Sequence, residues 1–177
     1  TTQVIGNCGD SPAPISDRFR DLAIRRFTYY AQTNAWTWST YAEYLGFLER
    51  GTGINVAGLV GHGSVRLATM GFEDRAPTEG ELRAMKRHVA EAMRAGAFGM
   101  STGLVYPPGC FARTDEIVEL AKVVARRGGF YASHIRGERE TILEAVRECI
   151  AIGERAGCPV QISHNAPKYG ATAKAAE

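Results

Sequence analysis

No apolar run in these 177 residues approaches the roughly 18 needed to span a bilayer, and no signal peptide opens the chain. Charge of one sign is missing too. Lys and Arg number 21 against 19 Asp and Glu, a formal net charge of +2, which argues against nucleic acid and membrane as partners. Cysteine is scarce. Cys8, Cys110, Cys149 and Cys158 form no CxxC pair and are too few for a secreted disulfide scaffold, so a cytoplasmic, reducing setting is expected. Proline is limited to 7 residues beside 20 Gly, with 45% hydrophobic and 23% charged residues, which excludes disordered, collagen-like and low-complexity chains. A phosphate loop is absent as well. The stretch GLVGHG at residues 58–63 has Arg66 where GxGxxG needs its last glycine, and there is no GK[ST].

Length sets the next bound. A chain of 177 residues suits a single domain over 1–177, but a complete (β/α)8 barrel takes about 250 residues. Both ends read as interrupted. There is no initiator Met, residues 1–6 (TTQVIG) already read as a strand, and residues 171–177 (ATAKAAE) read as a first helical turn with no stop signal.

What is present is an alternation of strands and helices. Strands are expected at residues 1–6, 54–60, 97–102, 130–133 and 159–163. Residues 10–35 have no clean period and read as a loop with one helical piece. Thr37 is the expected cap of a helix that spaces Trp38, Tyr41, Leu45 and Leu48 on one face and stops at Gly51. A face packed on a sheet explains those aromatics better than a ligand box. Thr78 and Glu81 form a capping box for a helix to about residue 95. Thr114 caps the next helix, ended by Gly128 and Gly129, and a last helix spans residues 138–155 before Gly157. Five strands alternating with helices predict a parallel α/β sheet of about five βα units.

The chemistry gathers at one edge of that sheet. Cys8, His62, His134 and His164 each fall at or just past the C-terminal end of an expected strand, where parallel α/β folds bind ligands. His88 lies inside a helix and reads as a surface or packing residue. His134 and His164 follow matched runs, YASH and QISH. Neighbouring strands lie about 4.8 Å apart, so two such imidazoles reach one ion at Zn–N distances of about 2.1 Å. The alternative is two hydrogen-bonded histidines at a sheet edge. Cys8 has three readings: a thiolate metal ligand, an inert buried thiol, or a nucleophile with His134 or His164 as base and Asn165 as orienter. Cys149, in an apolar helical run, reads as core. Cys110 and Cys158 carry no signal.

Five blocks then resemble one family in order along the chain. They are GNCG at residues 6–9 with SPAP at 11–14, LVGHGSVR at 59–66, AFGMSTGLVYPPG at 97–109, YASHIRGE at 131–138 and QISH at 161–164. The chain resembles the N-acyl-D-amino-acid deacylases (D-aminoacylases) of the amidohydrolase superfamily. The resemblance implies a zinc-dependent (β/α)8 TIM-type barrel, of which this chain is the middle. By matching position, Cys8, His134 and His164 resemble the family's metal ligands. Tyr106 resembles a tyrosine that holds the substrate, and Arg136 is placed to face the substrate carboxylate. His62, at the same strand-end edge, is a further substrate-binding candidate. Family members often carry a lysine two residues past the last histidine. Here that position is Ala166, and the nearest lysine is Lys168.

The family's HxH pair on the first barrel strand and its aspartate on the last have no counterpart here. The resemblance therefore covers about strands two to six of eight. It implies hydrolysis of the amide of an N-acyl-D-amino acid, a small-molecule substrate. Zinc would lower the pKa of bound water towards about 7 and polarise the carbonyl, and the aspartate outside this chain would move the proton. Two other readings stand beside it. One is a cyclic-amide hydrolase of the dihydroorotase or hydantoinase type, which generally uses a carboxylated lysine where this chain has Cys8. The other is a catalytically incomplete barrel fragment or binding module, and the isolated chain is expected to be inactive.

Overall fold

The computed structural model describes residues 1–27 and 36–164. Its strands are β1 (Thr2–Ile5), β2 (Asn55–Gly61), β3 (Gly99–Gly103), β4 (Phe130–His134) and β5 (Val160–Ile162). They form one parallel sheet in the order β1-β2-β3-β4-β5. Sequence neighbours are sheet neighbours throughout, and helices supply the crossovers, so the sheet curls into half of an α/β barrel.

The helices are α1 (Arg20–Phe27), α2 (Tyr41–Leu48), α3 (His62–Met70), α4 (Glu79–Ala95), α5 (Thr114–Ala125) and α6 (Ile142–Ala156). Each long helix buries one stripe. Met85, Val89 and Ala92 of α4 and Ile117, Leu120, Ala121 and Val124 of α5 have no exposed surface, and Cys149 and Ile152 of α6 lie beside them in the same core. From the sheet, Val60, Met100 and Tyr131 pack into that core. Truncating one such fully buried Leu, Ile or Met to Ala costs about 2–5 kcal/mol.

Several boundaries differ from expectation. The cap of α2 is Thr40, not Thr37, because Thr40 and Glu43 satisfy each other's backbone amides in a capping box. Trp38 therefore precedes the helix. It packs its ring against Tyr44 and Phe47, with centroids 5.3 and 4.9 Å apart, and donates Nε1–H to the carbonyl of Pro12. Thr114 is the first residue of α5 and not its cap, since its hydroxyl donates to Glu148 instead. The last helix starts at Ile142, four residues later than expected, because residues 135–141 form bends and a turn instead of helix. α3 was not expected at all. It is buried on nearly every side, including polar His62, Ser64 and Arg66, so it has no amphipathic stripe to read. The helical piece expected within residues 10–35 is a short 3₁₀ turn, Asp17–Phe19, followed by α1; residues 28–35 of that segment, and the helical turn expected at 171–177, lie outside the described residues.

The Thr78–Glu81 capping box forms as read, and Arg75 grips the same carboxylate with two hydrogen bonds of 2.7 Å. Arg75 first, and the Thr78 amide second, hold the Glu81 carboxyl down at about 2. A carboxyl depressed on folding adds stability above its ordinary pKa and loses it as pH falls through the depressed value. Glu81→Gln is therefore expected to flatten the acid limb between about pH 5 and about pH 2. Urea unfolding across that interval measures it, and parallel profiles for the two proteins would rule the linkage out.

Candidate metal centre

The turn after β1 does not stay above β1. Residues 6–9 cross the C-terminal ends of β2 and β3, and glycines make the crossing possible. A Cβ on Gly6 would stand 2.1 Å from the carbonyl oxygen of Leu59 in β2. A Cβ on Gly103, at the end of β3, would stand 2.1 Å from the carbonyl oxygen of Cys8. Side chains stitch the turn down. Ser101 accepts from the Gly9 amide at 3.0 Å and donates to the Gly6 carbonyl. Ser11 and Ser64 bond reciprocally, each at 2.8 Å. Cys8 itself is held in the left-handed region at φ 55°, a conformation that costs a non-glycine residue about 1–2 kcal/mol. The surrounding contacts over-determine it.

Register brings the histidines to the same place. Gly103 pairs with His134 across β3 and β4, so the residue under the Cys8 carbonyl is beside His134. Ser163 donates its amide to Ser133 at 2.8 Å, which carries β5 onward to His164. Ser163 Oγ also meets Asn7 Oδ1 at 3.2 Å, tying the end of β5 to the Cys8 turn. His164 too has a left-handed backbone, φ 52°.

Cys8 Sγ lies 2.9 Å from His164 Nε2, and the His134 and His164 rings stand 5.1 Å apart at 71°. One donor atom from each of Cys8, His134 and His164 lies within 4.8 Å of the other two. Ligands at zinc distances of about 2.1–2.3 Å fall within about 4.5 Å of each other, so small side-chain movements let all three share one ion. One thiolate and two imidazoles form a borderline-soft donor set suited to zinc, and three protein ligands leave a position open for water or substrate. Burial, then the carboxylates of Asp10 and Glu138, push the Cys8 thiol above its ordinary value. That is the reverse of an activated nucleophile, whereas a bound cation deprotonates a thiol outright.

The other expected site residues part company. Tyr106 stands at the cluster, its ring 5.0 Å from that of His134 and its hydroxyl 3.5 Å from His134 Nδ1. An open concavity of about 1010 Å³ reaches from Cys8 and Tyr106 to Asp10 and Arg26. His62 does not face it. Its side chain is fully buried and donates Nε2–H to Glu116 at 2.8 Å, so in this fold it has no surface for a substrate. Arg136 is also turned elsewhere: its guanidinium binds Glu148 and the carbonyls of Cys110 and Ala112. Lys168, Ala166 and Asn165 lie outside the described residues.

Sequence reading missed the partners. Glu116 accepts from His62 and, at 2.6 Å, from buried Arg66, whose Nη2 also donates to the carbonyls of Glu73 and Arg75. Burial pushes the Glu116 carboxyl up, but His62 and Arg66 outweigh it and hold the group below the usual carboxylate range. Its position in the first turn of α5, where an acidic residue complements the helix dipole, is visible in the sequence, but its partners are not. Glu138, four residues past His134, approaches His134 Nε2 at 3.2 Å.

The chain is 42% identical over 169 residues to N-acyl-D-glutamate deacylase of Alcaligenes xylosoxydans xylosoxydans, covering 93% of this chain and 33% of the relative. It is 39% identical over 167 residues to D-aminoacylase of the same organism, covering 93% and 34%. Among solved structures, D-aminoacylase, described as defining a novel subset of amidohydrolases, superposes with a TM-score of 0.81 at 36% identity. That match covers 93% of this chain and 34% of the other. In sequence and fold the chain matches the N-acyl-D-amino-acid deacylases. N-acyl-D-glutamate deacylase from Bordetella bronchiseptica, solved with zinc and a phosphonate mimic of its tetrahedral intermediate, superposes at 0.77 with 38% identity over 90% of this chain and 33% of that one. D-aminoacylase is also described with a binuclear metal centre. No family model matches. The chain thus spans about a third of the length of the deacylases it matches.

Two stability outcomes follow from the site's construction. Gly103→Ala is expected to cost about 1–3 kcal/mol by overpacking, whereas Gly46→Ala, with nothing within 4 Å, should be neutral or stabilising. Equal midpoints for both variants in chemical denaturation would refute the close approach. Glu116→Ala strands His62 and Arg66 without their shared acceptor and should cost about 3–5 kcal/mol. A loss below about 1 kcal/mol would show that the buried triad is not coupled.

Proposed function

We propose that this chain carries part of the active site of a zinc-dependent N-acyl-D-amino-acid deacylase, as one section of a single barrel domain. The observation that carries the reading is the convergence of Cys8, His134 and His164 within 4.8 Å at the C-terminal edge of the sheet. The relatives support the substrate class, since those matched over most of this chain are deacylases of N-acyl-D-amino acids. A cysteine at the cluster suits that class better than the cyclic-amide hydrolases. The four cysteines are unpaired, which supports a reducing, cytoplasmic setting.

Cys8, His134 and His164 would hold the zinc. When bound, zinc supplies a water acidic enough to ionise near neutral pH and a Lewis acid for the acyl carbonyl. The chain's own residues bind and orient. Tyr106 presents its hydroxyl beside His134 and so reaches a substrate held at the cluster. A cation beyond β5, with Lys168 the candidate, takes the substrate carboxylate. Cluster, hydroxyl and cation make three fixed points, which is what a choice between D and L enantiomers needs. The proton is moved by an aspartate from a part of the barrel that these residues do not include.

The full-length protein is expected to contain zinc and to hydrolyse N-acetyl-D-amino acids in preference to the L forms. Cys8→Ala and His164→Ala should each lower metal content and activity together, by at least about tenfold. Elemental analysis checks the first and amine release the second. Unchanged zinc in both variants would sink the assignment of ligands.

A further inference from the structure

Residues 104–113 connect β3 to α5 and bring Tyr106 to His134. The near half is held by backbone. Leu104 N–H donates to the His134 carbonyl at 3.0 Å, and Cys110 N–H to the Tyr106 carbonyl at 2.9 Å. The far half closes on itself in a 3₁₀ turn at Gly109–Phe111, and one arginine ties it to the segment after β4. Arg136 donates Nη1–H to the Cys110 carbonyl at 3.0 Å and Nη2–H to the Ala112 carbonyl at 2.9 Å. The same guanidinium is fixed by Glu148 of α6, through Nε and Nη2 at 3.0 Å each. Glu148 is mostly buried and accepts a further bond from Thr114, the first residue of α5, at 2.8 Å.

Arg136 stands two residues past His134, so its guanidinium joins the chain leaving a candidate ligand to the loop carrying Tyr106. Only the planar fork can do this. A lysine ammonium has three donors at one point and cannot span a carboxylate and two carbonyls. Four of its five N–H donors are spent in this way, and the single Nη1–H that remains cannot make the two-pronged grip by which an arginine takes a carboxylate.

We propose that Arg136 is a positioning residue: anchored by Glu148, it fixes residues 104–113 so that Tyr106 faces His134, and it does not contact substrate. The catalytic consequence rests on the deacylase reading; the mechanical one does not. A misplacement of about 1 Å at a reacting centre costs up to about a hundredfold, so a loosened loop should register in turnover.

The test uses the full-length, metal-loaded protein and the variants Glu148→Gln, Arg136→Lys and Tyr106→Phe. Hydrogen exchange at residues 104–113 is expected to quicken about tenfold in Glu148→Gln and Arg136→Lys, with α4 exchange and metal content unchanged. Each is expected to lower kcat/KM on N-acetyl-D-amino acids about tenfold, and neither should add much to Tyr106→Phe in a double variant, because all act through one hydroxyl. Substrate contact by Arg136 would look different: a higher KM in Arg136→Lys, additive with Tyr106→Phe, with Glu148→Gln like wild type in exchange and kinetics. That result overturns the proposal. If Glu148→Gln fails to fold, Arg136→Lys decides by the same two readouts. Should the protein not hydrolyse these substrates at all, the deacylase reading falls, and the exchange data alone support or overturn the clamp.

Discussion

The site depends on a close backbone contact. The turn at residues 6–9 lies on the ends of β2 and β3 with carbonyl oxygens where side chains would otherwise stand, 2.1 Å from the Cβ positions of Gly6 and Gly103. If either glycine had a side chain, the turn would rise off the sheet. Cys8 would then leave the plane in which His134 and His164 end their strands. The left-handed backbone at Cys8 is tolerable because hydrogen bonds from Gly9 and to Gly6 pin both sides of it to Ser101. Strain at Cys8 is thus held by bonds from its two neighbours to Ser101 on β3.

Around that contact the fold places two carboxylate hubs. Glu116 binds His62 and Arg66 beneath the end of β2, and Glu148 binds Arg136 and Thr114 beside β4. A buried charge is costly unless it is paired and hydrogen-bonded, and each hub meets that demand with several donors. Their location matters more than their energy. Glu116 joins α5 to α3, which leaves the end of β2, and Glu148 joins α6 to the segment that leaves β4 and to the start of α5. Loops above a barrel carry function, and here each arginine bonds loop carbonyls: Arg66 those of Glu73 and Arg75, Arg136 those of Cys110 and Ala112.

Much of this was legible in sequence. The alternation of five strands with helices appears as read, because β-rich apolar runs bounded by glycine and helices with a single apolar stripe leave plain periodic marks. The capping box at Thr78 and Glu81 is local and forms as its spacing dictates. Periodicity failed where burial was complete on all sides. α3 hides between sheet and helices with Arg66 and His62 inside it, so its polar residues looked like loop. The cap at Thr40 was misplaced because Trp38 fits a helical stripe equally well, and only its packing on Tyr44 and Phe47 separates the two.

Sequence alone put Cys8, His62, His134 and His164 at strand ends, each by a local pattern of strand, glycine and polar residue, and singled out Tyr106 only through the family resemblance. It also determined the parallel α/β class, since both depend on interactions between near neighbours. Tertiary structure decided which of those residues meet. Cys8 follows β1, yet it reaches His164 past β5 at 2.9 Å, with three strands between β1 and β5 in the sheet. It also decided that His62 and Arg136 turn away, because their partners, Glu116 and Glu148, lie 54 and 12 residues along the chain. A side chain's direction is set by the donor or acceptor that folding brings to it, and over such separations no local pattern records which one that is.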